Sequence, residues 1–144
     1  MDNPLSCGNT IRRKGDYLVM LDAIRKITLY VREPEAALRF WTEQCHFVKR
    51  ADHRMGPVRW LEVAPSDASP TSFVLYDKAL MQQQNATVCV GHPSVILSTD
   101  NAERTYEQMK ADDVAVGSLQ QMPYGTMFTF QDPEGNSYLV RQEP

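Results

Sequence analysis

The chain has 144 residues, 42% apolar and 23% charged, with 15 basic and 18 acidic side chains and a net charge of −3. That length fits one domain with a real core. The lack of a basic excess argues against nucleic-acid binding, and no apolar run nears the ~18 residues that would cross a bilayer.

Residues 1–19 show no hydrophobic periodicity and mix Pro4, Gly8 and Gly15 with Arg12, Arg13 and Lys14. The apolar segment of a secretory signal does not follow these charges. A poorly ordered extension is expected over 1–19 and a single domain over 20–144.

The domain opens on alternation. Ile27, Leu29 and Val31 interleave with Lys26, Thr28 and Tyr30, the period of a half-buried strand. Pro34 suits the first turn of a helix, and Glu35 suits its positive end. Ala37, Leu38, Trp41 and Cys45 then form one helical stripe. Strand-like runs follow over 47–51, 58–64 and 71–76, broken at Met55-Gly56-Pro57 and Pro65-Ser66-Asp67. Residues 77–91 read as a linker with a short helix and a polar loop.

The pattern then repeats. Val95, Leu97 and Thr99 interleave with Ser94, Ile96 and Ser98. Asp100 and Glu103 have the spacing of a capping box, and Ala102, Tyr106 and Met109 form the next stripe. Runs over 114–119, 126–131 and 137–141 close the second unit, with turns at Pro123-Tyr124-Gly125 and Asp132-Pro133-Glu134-Gly135-Asn136. His46 and Asp113 hold corresponding places, where a helix turns into a strand and φ is often positive. Both residue types tolerate that region, so His46 reads as a backbone device before a ligand. The fold class is α+β: a βαβββ unit present twice, with module one at 23–76, a linker at 77–91 and module two at 92–142.

Several phrases carry a family resemblance. They are Ile27–Glu43 (ITLYVREPEAALRFWTE), Trp60–Pro65 (WLEVAP), Phe73–Leu80 (FVLYDKAL), Gly91–Asp100 (GHPSVILSTD) and Met122–Leu139 (MPYGTMFTFQDPEGNSYL). Together they resemble the vicinal oxygen chelate superfamily, and within it a small bacterial glyoxalase-like subgroup. The superfamily includes glyoxalase I, bleomycin-resistance proteins, fosfomycin-resistance thiol transferases and extradiol dioxygenases. The resemblance implies cupped mixed sheets around a pocket, often in a homodimer. The pocket is lined by the strand faces turned away from the helices. Alternation puts Lys26, Thr28, Tyr30, Trp60, Glu62, Ser94, Leu139 and Arg141 on those faces, and Tyr124 and Met127 add to the pocket's apolar character.

Family enzymes hold a divalent metal on these faces through His, Glu or Gln. The resemblance puts the corresponding positions here at Lys26, Ser94, Leu139 and somewhere in 73–76, which contains no His, Asp or Glu. An ammonium, a hydroxyl and a hydrocarbon are poor ligands for such an ion. No metal and no cofactor is therefore expected. A relocated site at His92 with Glu62 and His53 is the weak exception.

Other chemistries leave fainter signals. Cys45 fits the core stripe, and Cys89 lies in the linker without a visible base. Cys7, Cys45 and Cys89 are too few for a disulfide framework and point to a cytoplasmic setting. Glu62 beside Lys26 or Arg141 is a weak candidate for a catalytic base, and an ordering salt bridge is the stronger reading. The expected function is metal-free binding of an aromatic or amphipathic small molecule, in a resistance or sequestration role. The alternatives are a glyoxalase-like lyase, thiol transferase or dioxygenase with shifted ligands, and a protein-interaction module with a filled cup.

Overall fold

The computed structural model describes residues 12–14 and 17–144. Most of the expected 1–19 extension lies outside the described residues. Within them, β1 (Arg12–Lys14) and β2 (Tyr17–Val19) pair antiparallel.

Module one contains β3 (Lys26–Val31), α1 (Pro34–Arg39), β4 (Val48–Met55), β5 (Val58–Ala64) and β6 (Ser72–Asp77). A π-helical segment, Phe40–Gln44, prolongs α1. The linker helix α2 spans Lys78–Gln84. Module two contains β7 (Ile96–Ser98), α3 (Ala102–Ala111), β8 (Ala115–Val116), β9 (Gln120–Met122), β10 (Gly125–Gln131) and β11 (Ser137–Gln142). The sheets run β3-β6-β5-β4 and β7-β11-β10-β8, with β9 also on β10. In each, the first strand lies parallel to the last and the other pairs are antiparallel. This is the expected α+β fold of two mixed sheets with few helices.

The departures from expectation have local causes. Only Ala115–Val116 of the expected run over 114–119 forms a strand, β9 begins after it at Gln120, and between them Gly117 N–H donates to Thr129 O at 2.7 Å. A Cβ at Gly117 would lie 2.8 Å from Thr129 Oγ1, so a side chain there would force the Thr129 hydroxyl aside. Asn101, not Asp100, caps α3: its Oδ1 accepts from Arg104 N–H at 2.9 Å. Asp100 stands one residue too early to reach the N–H groups of the first turn. Helix α1 begins on Pro34 without a side-chain cap from Glu33. Glu134, in the turn of module two, accepts instead from Arg32 N–H at 2.8 Å.

The helix ends match closely. His46 has φ 61° and Asp113 has φ 64°, the left-handed backbone expected at both places. The ends also clasp each other. His46 Nε2 lies 2.7 Å from Asp112 Oδ2, and Gln44 Nε2 donates to Asp112 O at 3.1 Å.

One core serves both modules. Trp41 is 1% exposed, and its ring meets Phe73 of sheet one at 5.0 Å and Tyr138 of sheet two at 5.0 Å. Phe130 lies 6.0 Å from the same ring. Leu29, Val31, Leu61 and Val63 from module one share this cluster with Val95, Phe128 and Val140 from module two. Tyr138 keeps its hydroxyl satisfied by donating to Asp132 Oδ2 at 2.9 Å. Both sheets therefore turn their helix-bearing faces inward, as the alternation predicts. Their other faces are turned away from this core.

Candidate functional site

The outward face of sheet one is organised by Glu62. Register places Lys26 beside Ser72, Thr28 beside Val74, and Glu62 across from Val74. Glu62 Oε1 accepts from Lys26 Nζ at 2.7 Å and from Ser72 Oγ at 2.9 Å. Its Oε2 accepts from Trp60 Nε1–H at 2.6 Å. Glu62 and Ser72 are the buried polar residues among those described. Burial alone would raise the Glu62 pKa. The hydrogen bonds from Lys26, Trp60 and Ser72, with the Lys26 charge, outweigh it and hold the carboxyl below its ordinary value. The expected salt bridge is present, with Lys26 rather than Arg141 as partner. Nearby, Tyr30 meets Tyr76 edge to face at 6.2 Å, and Thr28 is half-buried.

The outward face of sheet two is more open. Met127 stands across from Arg141, Leu139 beside Ile96, and Arg141 beside Ser98. Arg141 Nη2 donates to Tyr124 O at 2.6 Å, and its guanidinium lies 5.8 Å from the Tyr124 ring centre. Tyr124 is 56% exposed and Ile96 62%. Ser94 is exposed just before β7.

The structure thus gathers Lys26, Trp60 and Glu62, and adds Ser72, which sequence reasoning missed. Its strand, Ser72–Asp77, is apolar from Phe73 to Tyr76 and buried on both faces, so no alternation in the sequence marked which face Ser72 takes. Tyr124, Met127, Leu139 and Arg141 share the second face. Among the described residues, no hydrogen bond, ion pair or ring contact joins the two sets. They lie on the two different sheets.

The donor set does not fit a divalent metal. Lys26 carries an ammonium already bound to Glu62, Ser94 offers one exposed hydroxyl, and Leu139 offers none. Among the described residues, no three His, Cys, Asp or Glu side chains gather to hold an ion. The relocated set is not assembled: His92 Nε2 lies 3.3 Å from Ser137 O and its ring meets Tyr138, away from the Glu62 network. Cys45 packs against the core as expected, and burial pushes its thiol up to about 12, which keeps it protonated. No helix among the described residues is long and apolar enough to cross a membrane.

The alternation gave no hint of a cavity of about 700 Å³ between the modules. Ile27, Phe47, Phe73, Val95, Leu97 and Phe130 contribute to its wall, and none of the ten candidate ligand-binding residues does. All three residues of β7 border it, a gap that depends on how two sheets meet rather than on either strand's pattern.

Four similarities to known proteins bear on this geometry. The uncharacterized protein YetH of Bacillus subtilis (strain 168) is 37% identical over 125 residues, covering 85% of this chain and 100% of that protein. TnmS3, an antibiotic binding protein from Streptomyces sp. CB03234, matches with a TM-score of 0.74 at 26% identity, covering 88% of this chain and 99% of its own. A superfamily member from Sphaerobacter thermophilus DSM 20745 shares the fold with a TM-score of 0.73 at 22% identity, covering 87% of this chain and 100% of its own. The model of the Glyoxalase/Bleomycin resistance protein/Dioxygenase superfamily matches residues 23–138, spanning both modules, and the chain belongs to that superfamily.

Proposed function

We propose that this protein binds an aromatic or amphipathic small molecule without a metal, and acts by sequestration rather than turnover. The observation that carries the reading is the Glu62 network. A site for metal chemistry leaves its donors free to coordinate. Here the carboxylate is occupied by Lys26, Trp60 and Ser72, and it holds the Trp60 ring in place by its N–H. A fixed indole beside an ammonium suits a flat ligand with a polar edge, and an aromatic pair adds about 0.5–1.5 kcal/mol beyond area burial. The likeness to TnmS3, an antibiotic binding protein, supports the same class of function.

The two candidate sets lie on separate sheets with no contact between them among the described residues, and a ligand covered by both would be held between two copies. The reading includes a homodimer in which sheet one of one protomer faces sheet two of its partner, bringing Arg141 and Tyr124 opposite Trp60 and Lys26. A cytoplasmic setting agrees with the free thiols of Cys45 and Cys89.

Chelator-treated protein is titrated with a panel of aromatic antibiotics, following Trp fluorescence and melting temperature. A saturable shift is expected without metal, with the compound recovered unchanged by mass spectrometry. Trp60→Ala should weaken binding about tenfold, the loss of roughly 1.4 kcal/mol. A chemically altered compound, or binding that appears only with Mn, Ni, Zn or Fe(II), would overturn the reading.

A further inference from the structure

The cavity between the modules has a chemistry of its own. Its lining contains no Asp, Glu, Lys, Arg or His. The wall is aliphatic and aromatic, with Phe47 and Phe73 stacked at 6.0 Å and 20°. Cys45 also lines it and stays uncharged. Most hydroxyls there are engaged: Ser69 Oγ donates to Thr71 O, Thr71 Oγ1 to Ile24 O, and Thr99 Oγ1 bonds Thr105 Oγ1. A charged group placed here would lose its hydration and find no counter-charge.

The cavity also contains a free strand edge. All three residues of β7 line it, and β7 ends its sheet. Leu139 N–H donates to Val95 O, and Thr99 N–H donates to Arg141 O. In a parallel ladder, alternate residues bond the same neighbour. Val95, Leu97 and Thr99 therefore face β11, while Ile96 and Ser98 turn their N–H and C=O groups toward the cavity. Among the described residues none pairs with them. Exposed apolar side chains stand at the mouth from both modules, Ile24 at 74% and Ile96 at 62%.

We infer that this cavity is a second binding site, for an uncharged apolar small molecule carrying an amide or carbonyl group. The apolar body lies against Phe47, Phe73 and Leu97. The polar group exchanges hydrogen bonds with the free backbone of Ile96 and Ser98, as an added strand does at a sheet edge. A volume of about 700 Å³ is in the range of small-molecule sites. This site meets the Glu62 network only at Ser72, whose hydroxyl is already bound to Glu62 Oε1, and it does not depend on the function proposed above.

The test uses two matched probes on the full chain. N-phenyl-1-naphthylamine is neutral, and 8-anilinonaphthalene-1-sulfonate has the same rings with an added sulfonate. The neutral probe is expected to bind saturably at one per chain, at least about tenfold tighter than the anionic one. A neutral capped dipeptide, acetyl-Val-Val-amide, should displace it. Ser98→Asp and Ile96→Asp, both at exposed positions, should weaken the neutral probe about tenfold with the melting temperature unchanged. Trp60→Ala should leave it unaffected, which separates this site from the outward face of sheet one. Equal affinity for both probes, loss of binding in Trp60→Ala but not in Ser98→Asp, or probe binding that vanishes as the chain dimerises would each overturn the proposal.

Discussion

Module one and module two share strand order, parallel pairing and the left-handed helix end, yet their outward faces differ. Sheet one buries a carboxylate and a hydroxyl there, Glu62 and Ser72, and satisfies both. Sheet two leaves Ile96 and Tyr124 open to solvent and anchors Arg141 on a backbone carbonyl. Repetition in the backbone pattern constrains only the inward face, because one shared core must be filled from both sides. The outward faces carry no such constraint, and there the two modules diverge into chemically distinct surfaces.

The most damaging way to probe the shared core is Trp41→Ala. This ring touches residues of both sheets, and removing a buried Trp costs about 3–5 kcal/mol. That is a large part of the ~5–15 kcal/mol that holds a typical domain folded. Denaturant melts followed by far-UV and near-UV signals should show one coincident transition at a much lower midpoint. Two separated transitions would mean that the modules have separate cores.

A smaller effect should distinguish the two faces by pH. The Glu62 carboxyl titrates below its ordinary value of about 4.5 in the folded protein. Its stabilising contribution is therefore complete above the unfolded pKa and is lost as pH falls through the folded one. Glu62→Gln should cost about 1–2 kcal/mol at pH 7, and the gap to wild type should shrink toward pH 3. Among the described residues, the ion pair that Arg141→Gln removes is the one to the exposed Glu143 at 3.2 Å, so any closing of its gap should be smaller. Unfolding free energies at pH 7 and pH 3 decide between these outcomes.

The inward architecture was legible because it is written in local rules. Period-2 alternation marked Leu29, Leu61 and Val140 as core, and the helix-to-strand corner marked His46 and Asp113 for positive φ. The pair Lys26 and Glu62 was legible because both share a parity that puts them on one face of sheet one, on the strands either side of β6. Three features were not. The Glu134 bond to Arg32 N–H joins residues far apart in the chain, so no window of sequence contains it. The break at Gly117 depends on how closely Thr129 approaches across the sheet. The cavity beside β7 arises from the relative placement of two sheets, which no strand's own pattern encodes.

The finest comparison is between the two helix ends. A non-glycine residue in the left-handed region carries a cost of about 1–2 kcal/mol. Asp and His tolerate it better than most, and glycine restores part of the cost as unfolded-chain entropy, about 0.5–1 kcal/mol. Asp113→Gly should therefore raise stability by about 0.5 kcal/mol, since no side-chain hydrogen bond of Asp113 is lost among the described residues. His46→Gly relieves the same backbone but removes the bond to Asp112, so its gain should be smaller or reversed. The two variants differ in that single side-chain contact, and the difference between their midpoints measures what the clasp adds. Equal shifts would mean that the His46–Asp112 contact contributes nothing, consistent with an exposed pair, and that the helix ends are joined through Gln44 instead.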